Sequence, residues 1–249
     1  MYHNTDMMNS TMILAGGLGT RFAEYTDKIP KPMIEANGKP LLDHIIGIYE
    51  KFQIKNFIVL AGYKIEKILE HYSDIATIAS KEEFIFRNKK GSTITVLDTG
   101  LNTMTGGRIK KGIDYLDEND FYLTYGDGLA DIDIGKLTKF YIKNKTFATV
   151  TAVRPPARFG SLNLKKNLVT NFGEKDNTNE GWINGGFFVL NKEVKNYISE
   201  ASTVFEKDPL EKLSLEGNLS AYKHEGFWQP CDTIRELEVL EKALKKGVI

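Results

Sequence analysis

The chain of 249 residues has a single cysteine, Cys231, and no apolar run near the roughly 20 residues needed to span a bilayer. One cysteine cannot form a disulfide within the chain, which fits a reducing compartment. Residues 1–10 are polar and lack the apolar core of a secretory signal. We therefore expect a cytoplasmic protein that does not bind a membrane.

The chain also lacks an excess of either charge. Lysine and arginine together number 33, as do aspartate and glutamate, so the formal net charge is +0. No overall positive field draws such a chain to nucleic acid, and any site for phosphate must be built locally. Nucleic acid is therefore not an expected partner.

Apolar runs of strand length alternate with segments of helical periodicity. Strands are predicted at residues 12–15 and 57–60, each followed by an amphipathic helix, at 41–52 and 65–72. This order favours a parallel sheet with helices on its faces. We predict an α/β fold with a Rossmann-like, mixed and mostly parallel sheet flanked by helices. Residues 1–10 are expected to be a loose extension and residues 11–249 a single domain. Further predicted strands are 93–97, 121–125, 147–153 and 186–190, and further helices 109–116, 137–141 and about 233–246.

The first predicted strand runs into the glycine-rich loop Leu14-Ala-Gly-Gly-Leu-Gly-Thr-Arg21. Its three glycines let backbone N–H groups approach a phosphate, and Thr20 and Arg21 add side-chain donors. A tight turn would explain two glycines, but not a third followed by threonine and arginine. The loop is neither a P-loop, which ends in Gly-Lys-Ser/Thr, nor a dinucleotide fingerprint, because Phe22 stands at the sixth position. We predict a phosphate-binding loop.

Lys31 lies between two prolines in the segment Lys28-Ile-Pro-Lys-Pro-Met33. Proline fixes its own φ and pushes the preceding residue into an extended conformation, so this lysine is held on a stiff backbone. That arrangement suits a fixed positive charge in a site. A proline-rich crossing loop with an incidental charge explains the segment equally well, and the local sequence leaves both interpretations open.

Two aspartates are candidate ligands for Mg²⁺, which takes one or two carboxylates together with substrate phosphates. Asp127 lies between two glycines after a predicted strand, where a turn is the alternative. Asp232 precedes Thr233, which forms a capping box with Glu236, so local signals favour a role at the helix start. Asp131 and Asp133 are better interpreted as residues at a helix N-terminus.

The motifs occur in an order that resembles the nucleotide-sugar pyrophosphorylase family and, within it, the cytidylyltransferase branch. The glycine-rich loop and Lys-Pro-Met33 mark the family, and the resemblance runs from residue 12 to about residue 240. The motifs that continue it are Asp98-Thr-Gly100, Met104-Thr-Gly-Gly-Arg108, Tyr125-Gly-Asp-Gly128, Arg158-Phe-Gly160, Ile183-Asn-Gly-Gly-Phe-Phe-Val-Leu190 and Gly226-Phe-Trp-Gln-Pro230.

The resemblance implies the nucleotide-diphospho-sugar transferase fold and a role for each matching residue. Lys31 and Arg21 are the implied catalytic residues, and Asp127 and Asp232 the implied Mg²⁺ ligands, which reverses the local preference for a cap. The implied nucleotide-binding residues are Leu14, Ala15, Gly16, Gly17, Gly19, Thr20, Arg21, Thr103, Arg108 and Gly128. The implied sugar-phosphate residues are Glu174, Lys175, Asn184 and Gly185.

The implied reaction joins CTP to a sugar 1-phosphate, with glucose 1-phosphate as the first candidate, and releases pyrophosphate. No serine, cysteine or histidine arrangement indicates a covalent intermediate, so we expect direct Mg²⁺-assisted attack on the α-phosphate. UTP, dTTP or another phosphorylated acceptor are alternatives, as is a catalytically silent nucleotide-sugar-binding protein. A glycosyltransferase is disfavoured, because no Asp-x-Asp ends a strand ahead of an acceptor domain. The resemblance also implies a homo-oligomer.

Overall fold

The computed structural model describes residues 7–22, 26–73, 76–79, 82–155, 161–165, 168–173 and 181–249. Its strands are β1 (Ser10–Ala15), β2 (Glu35–Ala36), β3 (Lys39–Pro40), β4 (Asn56–Ala61), β5 (Ala76–Ala79), β6 (Glu83–Arg87), β7 (Thr93–Asp98), β8 (Asp120–Tyr125), β9 (Gly128–Ala130), β10 (Ala148–Val153), β11 (Ser161–Lys165), β12 (Leu168–Gly173), β13 (Ile183–Asn191), β14 (Leu219–His224) and β15 (Trp228–Pro230). Its α-helices are α1 (Leu41–Glu50), α2 (Ile65–Tyr72), α3 (Thr105–Ile113), α4 (Ile134–Asn144), α5 (Asp208–Leu215) and α6 (Ile234–Lys245). Short 3-10 helices cover Thr20–Phe22, Lys31–Met33 and Lys192–Tyr197.

The main sheet has the strand order β14-β10-β13-β8-β1-β4-β7-β6-β5. β1 pairs in parallel with β4 and β8, as do β4 with β7 and β10 with β14. β13 is antiparallel to β8 and β10, and β6 is antiparallel to β5 and β7. Among the described strands of this sheet, only β6 and β13 therefore run against the rest. The predicted mixed, mostly parallel sheet is confirmed.

The central strand β1 shows why the sheet is covered on both faces. All six of its residues are buried, as expected for a central strand between two helical layers. Ile13 and Ala15 belong to the apolar cluster that α1 completes, whereas Met12 and Leu14 belong to the cluster that α3 completes. Successive side chains of a strand point to opposite faces, so one apolar run serves both cores.

The long predicted elements match the observed ones to within a few residues. The largest shift is in α3, which begins at Thr105 rather than at residue 109. Its first turn contains Gly106 and Gly107, poor helix formers that hid the start. Both glycines pack against the segment of Ala201 and Thr203, where a side chain would meet backbone atoms. The elements that were not predicted are the helix α5 and the strands β2, β3, β5, β6, β9, β11, β12, β14 and β15.

The packed part of the chain begins inside the segment predicted as a loose extension. Met8 is 8% exposed and lies in the core cluster on the α1 side, and Ser10 is the first residue of β1. Residues 8–10 thus belong to the folded part of the chain, and residues 1–6 lie outside the described residues. No helix in the described ranges is long and apolar enough to cross a bilayer.

The contrast between two helical glycines gives a test of this packing. In Gly107→Ala the new Cβ would lie 2.7 Å from the Cα of Ala201, so we expect the free energy of unfolding to fall by about 1–3 kcal/mol. In Gly47→Ala of α1, the nearest atom is the Nζ of Lys39 at 3.8 Å, and stability should rise by about 0.5–1 kcal/mol. Urea unfolding followed by circular dichroism measures both. Equal effects would contradict the close approach at Gly107.

Candidate active site

A cavity of about 330 Å³ opens at the carboxyl ends of β1 and β8, beside the start of α3. This is the edge at which open α/β sheets bind their ligands. Most of the residues singled out in the sequence meet here. Those that line the cavity are Leu14, Ala15, Gly16, Gly17, Gly19, Thr20, Lys31, Thr103, Arg108, Asp127 and Asp232.

Packing or backbone conformation requires glycine at two of the three glycine positions in the loop. A side chain at Gly16 would collide with the guanidinium of Arg108. Gly19 has a φ of +64°, and a Cβ there would lie 2.7 Å from Cγ2 of Thr26. Both positions therefore need glycine for the fold alone. A Cβ at Gly17 would meet nothing within 4 Å, so packing does not explain this glycine.

The loop carbonyls of Gly16 and Gly19 are already paired, and the N–H groups of its glycines are not paired within the described residues. The carbonyl of Gly16 accepts hydrogen bonds from Arg108 at 2.9 Å and from the N–H of Tyr63 at 3.3 Å. By contrast, no acceptor within the described residues takes the N–H groups of Gly16, Gly17 or Gly19. Because backbone donors are normally paired, unpaired N–H groups at a cavity wall suit an anion such as a phosphate.

Lys31 joins two aspartates that are distant in the sequence. Its Nζ donates to Oδ2 of Asp127 at 2.7 Å and to Oδ1 of Asp232 at 2.5 Å. The residue is only 9% exposed, and Pro30 and Pro32 flank it at a short 3-10 helix. A buried lysine with two carboxylate partners is not an incidental surface charge, so the structure favours the site interpretation.

The pKa of Lys31 reflects a balance between burial and its two partners. Burial by itself lowers the pKa, but the negative charge of Asp127 and the hydrogen bonds to Asp127 and Asp232 outweigh it, and the pKa is raised above its usual value. The side chain is therefore an ammonium at neutral pH. With two carboxylates and one ammonium, the cluster keeps a formal charge of −1.

Asp232 is not the residue that caps α6. The N-cap is Thr233, whose side chain accepts the N–H of Glu236 at 3.3 Å. The Glu236 carboxylate in turn accepts the N–H of Asp232 at 2.8 Å, so the capping box forms without the Asp232 side chain. The Asp232 carboxylate points to Lys31 instead. The helix start and the acidic cluster are thus two separate features of adjacent residues.

A small antiparallel pair holds the two acidic segments together. β9 pairs with β15, with Gly128 opposite Pro230 and Ala130 opposite Trp228. Just beyond this pair, the N–H of Cys231 donates to the carbonyl of Asp127 at 2.8 Å. The backbone on both sides of the cluster is therefore fixed. Gly128 itself belongs to β9 and is not among the residues that line the cavity.

The two carboxylates fit a divalent cation that also binds a ligand. Lys31 already holds one positive charge within hydrogen-bond distance of both Asp127 and Asp232. No group of three or more histidine, cysteine, aspartate or glutamate residues in the described ranges could form a complete protein cage. Mg²⁺ usually takes one or two carboxylates and completes its shell with water and phosphate oxygens, which matches this donor set.

Arg108 supports the glycine-rich loop by hydrogen bonds from the protein interior. Its guanidinium donates to the carbonyls of Gly16 at 2.9 Å and Ala61 at 2.8 Å, and to the hydroxyl of Thr99. Burial lowers the pKa of Arg108, and the charge of Asp98 partly offsets that effect. The residue ties the ends of β1 and β4 to α3. Its predicted contact with a nucleotide stays a prediction.

The remaining predicted residues fall into two groups. Asn184 donates to the hydroxyl of Tyr125 at 2.9 Å, and the carbonyl of Gly185 accepts from the Trp228 indole at 2.7 Å. Asn184 therefore adjoins the cavity through Tyr125, which lines it, whereas neither Gly185 nor Trp228 is a lining residue. Glu174, Lys175 and the side chain of Arg21 lie outside the described residues.

Several lining residues were missed by the sequence reasoning. Pro32, Thr105, Tyr125 and Gly126 contribute to the cavity wall. Each lies inside a motif identified in the sequence, so its position within the motif was the available signal.

Cys231 is buried, and burial raises the pKa of its thiol to about 12, so it stays protonated at neutral pH and is not a nucleophile.

Comparison with known proteins gives consistent matches over nearly the whole chain. The family model described as "Nucleotidyl transferase" matches residues 10–245. A glucose-1-phosphate cytidylyltransferase of Salmonella typhimurium is 43% identical, with 95% of this chain and 96% of that protein covered. A probable glucose-1-phosphate cytidylyltransferase of Bacillus subtilis is 40% identical, with the same shares covered. The crystal structure of HddC from Yersinia pseudotuberculosis complexed with GMP-PN has a TM-score of 0.74 at 24% identity and covers 95% of this chain and 100% of its own. The last match shows a shared fold.

The open position at Gly17 provides a test of the phosphate loop. Gly17→Ala should leave the melting temperature unchanged, because its Cβ meets no protein atom. It should weaken binding of a nucleoside triphosphate by about tenfold or more, since the methyl group blocks close approach to the loop N–H groups. Calorimetric titration with CTP measures this, with Gly47→Ala as the control that should bind normally. Tight binding by Gly17→Ala would remove the loop from the phosphate site.

Proposed function

The chain belongs to the nucleotidyl transferase family, and we propose that it joins CTP to glucose 1-phosphate to give CDP-glucose and pyrophosphate. The observation that carries the proposal is the contact of Lys31 with Asp127 and Asp232 beside a loop whose N–H groups have no acceptor among the described residues. Relatives at 43% and 40% identity over 95% of the chain support CTP and glucose 1-phosphate as the substrates.

The reaction needs charge neutralisation and alignment more than a base. A phosphate oxygen of the acceptor is already a nucleophile at neutral pH, so it attacks the α-phosphorus of CTP directly as pyrophosphate departs on the opposite side. The free N–H groups of Gly16, Gly17 and Gly19 hold phosphate oxygens of the nucleotide, together with Arg21. Lys31 supplies a fixed positive charge where negative charge shifts during transfer.

Asp127 and Asp232 are the residues that would hold Mg²⁺. When bound, the ion would neutralise phosphate charge and act as a Lewis acid. Lys31, which contacts both carboxylates, would contribute its ammonium beside the same phosphates. The two carboxylates and the ammonium leave a formal charge of −1, which favours binding of a further cation.

The acceptor site and the assembly complete the proposal. We assign the sugar 1-phosphate to Asn184 and Gly185 together with Glu174 and Lys175, as the family resemblance implies. Arg108, Thr103 and Gly128 are assigned to the nucleotide on the same basis. We further infer a cytoplasmic homo-oligomer in which the chain from about residue 8 onward acts as one domain.

The direct test crosses nucleoside triphosphates with phosphorylated acceptors and measures released pyrophosphate. We expect kcat/KM for CTP to exceed that for UTP by about a hundredfold, because cytosine presents an amino donor where uracil presents a carbonyl acceptor, and a mismatched site leaves polar groups unpaired. Equal use of UTP would overturn the choice of CTP. If no triphosphate releases pyrophosphate with any acceptor, the chain is a silent binding protein.

The metal assignment predicts a specific defect for Asp232→Asn. Losing one carboxylate should weaken Mg²⁺ binding, so turnover falls at least tenfold and the Mg²⁺ concentration at half-maximal rate rises. The measurement is the initial rate across a Mg²⁺ titration, with thermal unfolding alongside.

The neighbouring Thr233→Ala is the matched control. It removes the cap of α6 and should cost about 1 kcal/mol of stability, while the Mg²⁺ dependence stays normal. A normal Mg²⁺ dependence in Asp232→Asn would leave Asp127 as the metal-binding carboxylate and return Asp232 to a purely structural role.

A further inference from the structure

A carboxylate outside the cavity wall connects two residues that belong to it. Glu206 lies just before α5 and is half-buried. Its Oε2 accepts the hydroxyl of Thr105 at 2.6 Å, and its Oε1 accepts the hydroxyl of Tyr125 at 2.8 Å. Thr105 opens α3 and Tyr125 ends β8, so Glu206 links two elements on different sides of the cavity.

Each hydroxyl in this network accepts one hydrogen bond and donates another. The Thr105 oxygen accepts the N–H of Phe205 at 2.9 Å, and its hydroxyl donates to Glu206. The Tyr125 oxygen accepts an N–H of Asn184 at 2.9 Å, and its hydroxyl also donates to Glu206. Glu206 therefore accepts a hydrogen bond at both of its side-chain oxygens.

A second hydrogen bond fixes the orientation of the Asn184 amide. Its Oδ1 accepts the N–H of Gly186 at 2.9 Å, so its Nδ2 must face the Tyr125 oxygen. The amide nitrogen carries a second N–H, and Asn184 is exposed at the start of β13. The Tyr125 hydroxyl thus connects Oε1 of Glu206 at 2.8 Å with Nδ2 of Asn184 at 2.9 Å.

We propose that Glu206 is a positioning residue for the acceptor: through Tyr125 it holds the amide of Asn184 so that one N–H is presented to the sugar 1-phosphate. This inference rests on the proposed function, which places the acceptor at Asn184. The negative charge of Glu206 orients the Tyr125 hydroxyl, and the Tyr125 oxygen then orients the amide. The residue acts without touching the substrate.

Glu206→Gln tests the proposal with little change in size. The new amide carries no charge and has one oxygen for the two hydroxyl protons of Thr105 and Tyr125. The hydrogen bond that orients the Tyr125 hydroxyl is therefore lost or weakened. Tyr125 turns, and Asn184 loses its orientation. The expected defect is therefore in binding of the sugar 1-phosphate rather than in binding of CTP.

The experiment measures KM for glucose 1-phosphate and for CTP in wild type, Glu206→Gln, Tyr125→Phe and the double variant. We expect KM for glucose 1-phosphate to rise about tenfold in each single variant, the loss typical of one misdirected hydrogen bond, with KM for CTP changed by less than about twofold. Because both substitutions break the same chain, the double variant should be no worse than either single one. Glu211→Gln, an exposed glutamate of α5, is the control and should match wild type.

Turnover of glucose 1-phosphate by the wild type separates a failure of the proposed function from a failure of the positioning role of Glu206. If wild type does not use glucose 1-phosphate, the proposed function fails, and this inference fails with it. If wild type is active but both KM values of Glu206→Gln stay normal, only the positioning role is overturned. Equal rises in both KM values, or additive effects in the double variant, would show a general structural role and would also overturn it. Tyr125→Phe keeps the test decisive if Glu206→Gln does not fold.

Discussion

The ammonium of Lys31 between Asp127 and Asp232 is the interaction on which the rest of the site depends. Two carboxylates brought this close would repel each other, and each would lose solvation. The lysine offsets both effects and leaves the group with a charge of −1. Such a cluster is stable without a ligand and still attracts a further cation. The same contact thus explains how the acidic pair persists in the folded chain and why it suits a metal.

That contact is possible only because three distant segments meet at one edge of the sheet. Asp127 follows β8, Asp232 follows β15, and Lys31 comes from the proline-framed crossing after β1. The pairing of β9 with β15 fixes the backbone beside both aspartates. A strand of three residues contributes little to a core, so its function here is to set the distance between two side chains. Precise placement of this kind is what charge-based catalysis requires.

Sequence reasoning reached the features that are local and strongly patterned. The buried strands of the main sheet and the glycine-rich loop were identified because their signals lie within a few consecutive residues. The β9–β15 pair was missed, since strands of three residues are too short to show a period of two. Glu206 was missed for another reason: its partner Thr105 is 101 residues away, and nothing next to Glu206 distinguishes it from a solvated glutamate. Contacts between distant segments depend on the fold, and the fold had to be known first.

Asp232 shows that two interpretations of a motif need not exclude each other. In the sequence, the capping box made a helix cap the better local explanation, and only the family resemblance favoured a metal ligand. The structure assigns the cap to Thr233 and the stabilising return bond to Glu236, while the Asp232 side chain lies on Lys31. The rigid helix start therefore fixes the backbone of the residue before it. A carboxylate beside a capped helix end is held in place by bonds it does not itself make, so it need not accept the helix N–H groups, and its Oδ1 accepts from Lys31 instead.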